Sequence, residues 1–279
     1  MTPRTIGNAD PDRVRDQVRK RYAPLASGSG CCGSSSDSTE CCGGDTASLG
    51  LGYSAEDLSG LPEGSHLGLG CGNPVSLVSL RPGEVVLDLG SGAGVDCFLA
   101  SRKVGPRGHV IGVDMTPEML TKARANARKG GFDNVEFRLG EIEHLPVADQ
   151  SIDVVLSNCV INLAPDKESV YREAFRVLAP GGRLAVSDVV ATRRIAAKER
   201  ADPSLWSSCS SGAIGVGRLR SLLGRVGFRD VRIDLDPDAG SASSLQGQSS
   251  LGVVPAQICG WKPKTGLPAS LTRSLSRAV

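Results

Sequence analysis

Residues 85–94 read Val-Val-Leu-Asp-Leu-Gly-Ser-Gly-Ala-Gly, a short apolar run that leads directly into a glycine-rich turn. The run has the length and composition of a buried strand, and glycines allow both a sharp turn and a close approach of the backbone to a ligand. The pattern that continues through Phe98 and Leu99 is helical. This stretch therefore predicts a strand, a tight turn and a helix, which together form the basic unit of an α/β fold.

Strand and helix patterns alternate on both sides of this unit. Strands are predicted at 85–89, 109–114, 135–139, 152–158, 183–188, 231–235 and 256–261, and helices at 117–129, 166–177 and 219–226. The turn Pro180-Gly181-Gly182 leads into the fifth strand, and an irregular insert covers 189–217. Strands that alternate with helices favour a mostly parallel sheet covered on both faces. The predicted fold class is α/β, doubly wound, with a seven-stranded and mostly parallel sheet.

Composition excludes several classes of protein. The formal charge of +2, with three tyrosines and two tryptophans, lacks the basic excess and the aromatic platforms that nucleic-acid binding requires. No apolar run approaches the ~18 residues of a membrane span. The basic N-terminus has no apolar run behind it, so we predict no secretory signal and a cytoplasmic protein. Its nine cysteines are then expected to be reduced, ligating or catalytic rather than a structural disulfide framework. We expect a monomer with no nucleic-acid or membrane partner.

The glycine turn has the spacing of a methyl-donor site. Gly90, Gly92 and Gly94 form GxGxG with an acid two residues before the first glycine, which differs from the GxGxxG that seats a pyrophosphate. Acids at strand ends can also be ordinary loop carboxylates. We predict that S-adenosylmethionine binds here, through Asp88, Gly90, Ser91, Gly92 and Gly94 in the turn, Asp114 and Met115 at the ribose, Glu141 and Ile142 at the adenine, and Asn158 after the fourth strand.

Three single cysteines accompany this site in the sequence. Cys71 lies between two glycines, Cys159 follows the fourth strand, and Cys209 lies in a serine-rich part of the insert. A free cysteine is often a small buried hydrophobe, and zinc is a competing interpretation, although no CxxC pair or His-x-His spacing accompanies these residues. Thiolates prefer soft ions. Arsenic(III), with three bonds and a lone pair that can attack a methyl group, is the predicted ion for Cys71, Cys159 and Cys209.

The remaining cysteines fall into two groups. Cys97 and Cys259 lie within apolar patterns and are predicted to be structural. The pairs Cys31-Cys32 and Cys41-Cys42 lie in a Gly- and Ser-rich segment with too few large apolar residues to pack. These pairs can bind a soft ion or exchange disulfides with Cys71, or they can belong to a linker without a catalytic role.

Four regions follow from these patterns. Residues 1–60 hold an N-terminal helix, predicted at 10–22 with Asp10 as its cap and Pro11 at its first position, and a flexible Cys/Gly/Ser-rich segment. Residues 61–190 form the predicted S-adenosylmethionine-binding domain. Residues 191–262 form a lid for the substrate together with the final strands, and 263–279 are expected to be a disordered tail.

With these residues in view, the chain resembles the arsenite S-adenosylmethionine methyltransferases. The resemblance covers most of the chain from Tyr53 to about Val231. It rests on Tyr53-Ser-Ala-Glu-Asp-Leu58, Leu67-Gly-Leu-Gly-Cys-Gly-Asn-Pro74, Val86-Leu-Asp-Leu-Gly-Ser-Gly-Ala-Gly94, Gly112-Val-Asp-Met-Thr-Pro-Glu-Met-Leu120 and Ser157-Asn-Cys-Val-Ile-Asn-Leu163, and on a Trp-x-x-Cys-x-x-Gly-Ala match at Trp206 to Ala213.

The resemblance implies an enzyme that methylates arsenite. It implies that Cys159 and Cys209 hold arsenic, that Cys71 takes part in an oxidation step, and that one of the N-terminal thiols pairs with Cys71. Arsenite or its glutathione conjugate is then the substrate, and thioredoxin or glutathione is the reductant. Two alternatives stay open: a methyltransferase of a quinone or small metabolite, and a protein that sequesters metalloids through its thiols.

Overall fold

The computed structural model describes residues 10–27, 52–200, 202, 205–206, 209–236 and 252–264. Cys31, Cys32, Cys41 and Cys42 therefore lie outside the described residues, as does most of the tail predicted at 263–279. Among the helices within these ranges, none has the length and apolar character needed to cross a membrane.

Seven strands form one sheet with the order β3-β2-β1-β4-β5-β7-β6. The strands are β1 (Val85–Leu89), β2 (His109–Asp114), β3 (Val135–Leu139), β4 (Ile152–Asn158), β5 (Leu178–Ala191), β6 (Arg229–Leu235) and β7 (Val253–Trp261). β1 to β5 pair in parallel, whereas β7 is antiparallel to both of its neighbours. The predicted fold class is confirmed, and the two final strands, expected beside the lid, belong to the same sheet.

Helices cover both faces of this sheet. They are α1 (Pro11–Ala26), α2 (Ala55–Leu58), α3 (Pro74–Leu77), α4 (Val95–Val104), α5 (Pro117–Gly130), α6 (Lys167–Val177), α7 (Ala197–Arg200) and α8 (Val216–Val226), with a 3-10 turn at Ile161–Leu163. As predicted, Asp10 caps α1, and its side chain accepts the N–H of Asp12 at 3.1 Å. The helix continues four residues beyond the predicted end at Tyr22.

The core lies on both faces of the sheet because the central strands carry apolar side chains on both of their faces. In β1, Val86 packs into one cluster, whereas Leu87 and Leu89 pack into the other, and all three side chains are fully buried. This alternation is what a strand buried on both faces requires. Because β1, β2 and β4 run in parallel, their carboxyl ends lie at the same edge of the sheet. The predicted site residues follow at this edge.

Candidate active site

The turn after β1 is shaped by its glycines. Gly90 has φ of +67°, and a Cβ at this position would lie 2.5 Å from a methyl carbon of Val160. The N–H of Gly92 donates to Asp114 Oδ2 at 3.0 Å, which ties the turn to the end of β2. A Cβ at Gly92 would meet nothing within 4 Å, so open space lies above the turn. The turn is thus the floor of a cavity.

This cavity has a volume of about 380 Å³. Seven of the ten residues predicted to bind S-adenosylmethionine line it: Gly90, Ser91, Gly92, Asp114, Met115, Ile142 and Asn158. The cysteines Cys71, Cys159 and Cys209 line the same cavity. The tertiary structure therefore brings the predicted methyl-donor residues and the predicted arsenic thiols to one site.

The other three predicted residues lie behind the cavity wall. Asp88 is buried beneath the glycine turn and accepts a hydrogen bond from Cys97 Sγ at 3.3 Å. Gly94 begins α4, and a Cβ there would lie 2.8 Å from the Phe98 ring. Glu141 forms ion pairs with two arginines of α1, and its place at the adenine stays a prediction. These residues shape or close the site from outside the cavity.

Several cavity residues were absent from the sequence prediction. Asp96 lies in the first turn of α4, and Glu143 lies two residues beyond the predicted Glu141. Helix α1 contributes Arg15 and Tyr22. Asp96 did carry a signal, because an acid within the apolar run Val95-Asp-Cys-Phe-Leu-Ala100 is unusual in a buried helix. The α1 residues carried none, since only the tertiary fold brings this helix to the cavity.

The cavity residues suit the groups of S-adenosylmethionine. Ser91 is buried, and its hydroxyl has no hydrogen-bond partner among the described residues, although it lines the cavity beside the start of α4. A ligand carboxylate at a helix start would satisfy such a hydroxyl and the free N–H groups of the first turn. Asp96 and Asp114 offer carboxylates to the cationic and hydroxyl groups of the same ligand.

Burial dominates the electrostatics of this half of the site. Burial raises the pKa of Asp88 well above its ordinary value, and the nearby charge of Asp96 raises it further. Burial also raises the pKa of Asp96 and Asp114, against hydrogen bonds that favour their ionised forms. Three carboxylates at one edge of the sheet favour a cationic ligand, because a positive charge there offsets the cost of their burial.

Asn158, the last residue of β4, connects three segments of the chain. Its Nδ2 donates to the Tyr53 hydroxyl at 2.9 Å, to the Gly72 carbonyl at 2.8 Å and to Asp96 Oδ2 at 3.2 Å. Its Oδ1 accepts the backbone N–H of Cys71 at 2.9 Å. Asn158 therefore fixes the Cys71 loop against the cavity wall, in addition to lining the cavity.

We expect Asn158→Ala to lower the free energy of unfolding by about 2–4 kcal/mol, because each buried polar group that loses its partner costs about 1–3 kcal/mol. Urea denaturation followed by circular dichroism would measure this change. Tyr53→Phe is the matched control, because it removes one hydroxyl of the same network and should cost about 1 kcal/mol. An unchanged denaturation midpoint for Asn158→Ala would show that the network contributes nothing to stability.

The three predicted thiols meet at one side of the cavity. Cys71 and Cys159 are joined by a disulfide, with their Cα atoms 5.5 Å apart. The resemblance implied an N-terminal partner for Cys71, whereas the described partner is Cys159, since Asn158 holds the Cys71 loop beside the end of β4. A sulfur within a disulfide has no thiolate to offer, so arsenic binding by these two residues requires the reduced form.

Cys209, which lies in the insert, is the third cysteine of this group. Its Sγ donates to the backbone carbonyl of Cys159 at 2.9 Å. The Arg200 guanidinium donates to two carbonyls of the loop that carries Cys209, at 3.0 and 3.1 Å. A Cβ at Gly212 would lie 2.0 Å from the Asn162 carbonyl oxygen, so this loop packs tightly against the end of the 3-10 turn. The described part of the insert therefore packs beside the thiols, and its role as a lid stays a prediction.

Both Cys159 and Cys209 have an unusual backbone conformation. Their φ angles are +55° and +65°, in the left-handed region that favours glycine. A non-glycine residue there costs on the order of 1 kcal/mol or more, and such residues cluster at functional sites. The strain indicates that the orientation of each thiol matters more at these two positions than a relaxed backbone conformation.

Two buried side chains that can carry charge, Asp188 and Lys167, lie near the thiols. A carboxylate oxygen of Asp188 lies within 4.8 Å of the sulfurs of Cys71 and Cys159. Burial raises the pKa of Asp188 to about 6 and lowers that of Lys167 to about 8. Burial, with the charge of Asp188, raises the pKa of the Cys209 thiol well above its ordinary value. Cys209 is therefore a neutral thiol at neutral pH.

The cysteines predicted to be structural lie away from the cavity lining. Cys97 is fully buried in α4 and donates to Asp88, and burial raises the pKa of its thiol. Cys259 is half-buried on β7, opposite Ala185 of β5. Both positions agree with the prediction.

Comparison with known proteins defines the class. A family model described as a methyltransferase domain matches residues 80–227, which is 148 of the 279 residues. Together with the seven-stranded sheet, this match makes the chain a class I S-adenosylmethionine-dependent methyltransferase. A solved arsenic(III) S-adenosylmethionine methyltransferase from Chlamydomonas reinhardtii is 37% identical, with a TM-score of 0.61 over 79% of this chain and 74% of that one. The chain belongs to the arsenic(III) S-adenosylmethionine methyltransferase family.

Curated relatives of this chain are named arsenite methyltransferases. An arsenite methyltransferase of Halobacterium salinarum is 52% identical over 82% of this chain and 60% of its own length. The human arsenite methyltransferase is 43% identical over 53% of this chain and 42% of its own length. The chain thus spans about half of the length of the curated relatives that it matches.

Proposed function

We propose that this protein transfers methyl groups from S-adenosylmethionine to trivalent arsenic held by its thiols, which would detoxify arsenite. The observation that carries this proposal is that Cys71, Cys159 and Cys209 line the same cavity as the glycine turn. A methyltransferase of another acceptor needs the turn but has no need for three cysteines beside it. The family membership of the chain supports the same substrate.

Arsenic would enter as neutral As(OH)₃ or as its glutathione conjugate. Each protein thiol then forms an S–As bond, and its proton leaves in water or on the displaced glutathione thiol. The neutral state of Cys209 suits this exchange, because no charge has to be created in a buried site. Sulfur is the preferred ligand of a soft ion, which is why arsenic rather than a hard cation is proposed.

S-adenosylmethionine supplies the methyl group as a sulfonium, and the protein supplies the geometry. Cys159 and Cys209 hold the arsenic so that its lone pair faces the cavity, while the glycine turn and Asp114 hold the donor. Fixing two reactants in one orientation is worth about 7–11 kcal/mol of the barrier. Positioning is therefore the main catalytic contribution of this chain.

Methyl transfer oxidises arsenic from the trivalent to the pentavalent state. Two protein thiols can return two electrons to it and become a disulfide. The Cys71–Cys159 disulfide supports this role, because it is the expected product of such a step at the arsenic site. Thioredoxin or glutathione would reopen the disulfide by thiol exchange, which favours a reducing compartment such as the cytoplasm.

The deciding experiment incubates the reduced protein with arsenite, glutathione and S-adenosylmethionine, followed by chromatography with arsenic-specific detection. We expect methylated arsenic and an equivalent amount of S-adenosylhomocysteine. Arsenite bound without consumption of the methyl donor would instead identify a sequestering protein. Intact donor binding without any binding of arsenite would point to a quinone or another small metabolite as the acceptor.

A further inference from the structure

Helix α1 forms part of the cavity wall although few of its side chains are buried. Of its 16 residues, Val18 and Ala26 are buried, whereas seven of the ten residues of α4 are buried. Arg15 and Val18 are among the α1 residues that line the cavity. A segment with few buried apolar contacts opens at a lower free energy than the core of the same protein. Apolar packing alone therefore holds α1 weakly against the cavity.

Ion pairs attach α1 to the loop that follows β3. Arg15 Nε lies 3.1 Å from Glu141 Oε2, and Arg15 Nη2 donates to Glu143 Oε1 at 3.1 Å. Arg19, about one helical turn later, pairs with Glu141 Oε1 at 3.2 Å. Residues four positions apart lie on the same face of a helix, so both arginines reach this loop. One face of α1 is thus held by three contacts between opposite charges.

The contact between Arg15 and Glu143 is shielded from water. The side chain of Glu143 is 5% exposed and that of Arg15 is 13% exposed. Exposed ion pairs contribute little, whereas removal of one partner of a buried pair leaves the other charge uncompensated. A protein without the Arg15 charge would therefore lose stability in the state in which α1 covers Glu143, relative to a state in which α1 has moved away.

We propose that α1 is a clamp over the methyl donor, closed by the ion pairs of Arg15 with Glu141 and Glu143, and that the donor and its product leave the cavity when this clamp opens. Arg15 and Glu141 are positioning residues, because they act on the donor through α1. Since the product must leave after each transfer, the opening of α1 limits turnover. The clamp concerns the donor alone and would serve any methyl acceptor.

Glu141 distinguishes a clamp from a direct contact with the donor. Among the described residues, Gly140, Ile142 and Glu143 line the cavity, whereas Glu141 does not. Its carboxylate pairs with two arginines of α1 instead. The sequence predicts Glu141 at the adenine, and a residue there would act on the base itself. A clamp residue would act equally on ligands that differ in the base.

The first test is the dissociation rate of S-adenosylhomocysteine from the reduced full chain, measured by surface plasmon resonance. Loss of one partner of a buried charge pair acts mainly on dissociation. We expect Arg15→Gln to release the ligand at least about 10-fold faster, and Arg15→Lys, which keeps the charge, to recover part of this change. Dissociation of Arg15→Gln at the rate of the unmodified protein would overturn the clamp.

The second test compares two ligands on Glu141→Gln. Its ion pairs are partly exposed, so we expect dissociation to be about 2- to 5-fold faster. The factor should be the same for S-adenosylhomocysteine and for S-inosylhomocysteine, whose base lacks the amino group. It should also be smaller in an Arg15→Gln background, because one of the pairs is already broken. An effect confined to S-adenosylhomocysteine would assign Glu141 to the adenine and remove it from the clamp.

Hydrogen exchange measured by mass spectrometry tests whether α1 itself opens. If the ligand must leave before α1 opens, a 100-fold excess of S-adenosylhomocysteine over its Kd should slow exchange in residues 11–26 by about 100-fold. Arg15→Gln should exchange faster than the unmodified protein. Lys20→Gln is the matched control, because Lys20 is exposed and its ion pair with Asp16 lies within α1. It should exchange and release the ligand as the unmodified protein does.

The remaining outcomes are also decisive. Faster release by Arg15→Gln without a change in the exchange of α1 would make Arg15 a direct ligand contact and overturn the clamp. If Arg15→Gln fails to fold, Arg19→Gln tests the same clamp from a partly exposed position, and release at the unmodified rate by both Arg19→Gln and Glu141→Gln would overturn it. No arsenic is used, so a negative result leaves the proposed acceptor untouched.

Discussion

Cys209→Ser should lower the rate of arsenite methylation by at least about 100-fold, the upper range for changes next to a metal ligand. A serine oxygen is a hard donor, and trivalent arsenic prefers sulfur. The hydroxyl is close in size to the thiol, so the loop and its contact with the Cys159 carbonyl should persist. We expect arsenite retention to fall while the affinity for S-adenosylhomocysteine stays the same.

Cys259→Ser is the matched control for this experiment. Cys259 is another free cysteine of the described chain, but it lies half-buried on β7 and does not line the cavity. It should methylate arsenite at the rate of the unmodified protein. Equal rates for Cys209→Ser and Cys259→Ser would remove Cys209 from the arsenic site.

Cys71→Ser should abolish repeated methylation of inorganic arsenite while S-adenosylmethionine still binds. If Cys71 supplies electrons after methyl transfer, the variant stops with arsenic in the pentavalent state and no disulfide forms. The loss of steady-state rate should again be at least about 100-fold, because no other described thiol adjoins Cys159 in the same way. Steady-state assays by arsenic-specific chromatography would measure it.

A single-turnover experiment separates the two roles considered for Cys71. With enzyme in excess over arsenite, a purely reductive role allows up to one methyl transfer per arsenic atom in Cys71→Ser. A required arsenic ligand allows none, so Cys71→Ser would then resemble Cys209→Ser. Full turnover by Cys71→Ser would contradict both roles and would leave the Cys71–Cys159 disulfide without a part in the reaction.

The fold could be predicted from local patterns because the central strands are buried on both faces. β1, β2, β3 and β4 begin and end at the predicted residues. β5 begins earlier than predicted, at Leu178, which pairs with Ile152 of β4. β5 and β7 also have additional residues where Val189, Val190 and Ala191 pair with Pro255, Val254 and Val253. This antiparallel pairing joins segments far apart in the chain, and neither segment alone carries a signal for it.

The site was predictable where local sequence shapes the backbone and unpredictable where distant segments meet. The glycine turn and Asp114 belong to the first kind, because a tight turn and a strand end are local features. The ion pairs of Glu141 belong to the second kind, because only the tertiary fold brings Arg15 and Arg19 of α1 to this residue. Tyr22 carries no motif at all.

Local sequence patterns were sufficient to predict the α/β class, the position of the glycine turn and which cysteines were candidates for chemistry. Packing between distant segments brings Cys71, Cys159 and Cys209 to one cavity, places Asn158 against the Cys71 loop, and adds Arg15 and Tyr22 of α1 to the cavity lining. The reason is physical. Periodicity and turn chemistry act over a few neighbouring residues, whereas the direction of a thiol depends on packing between segments that the chain alone does not place together.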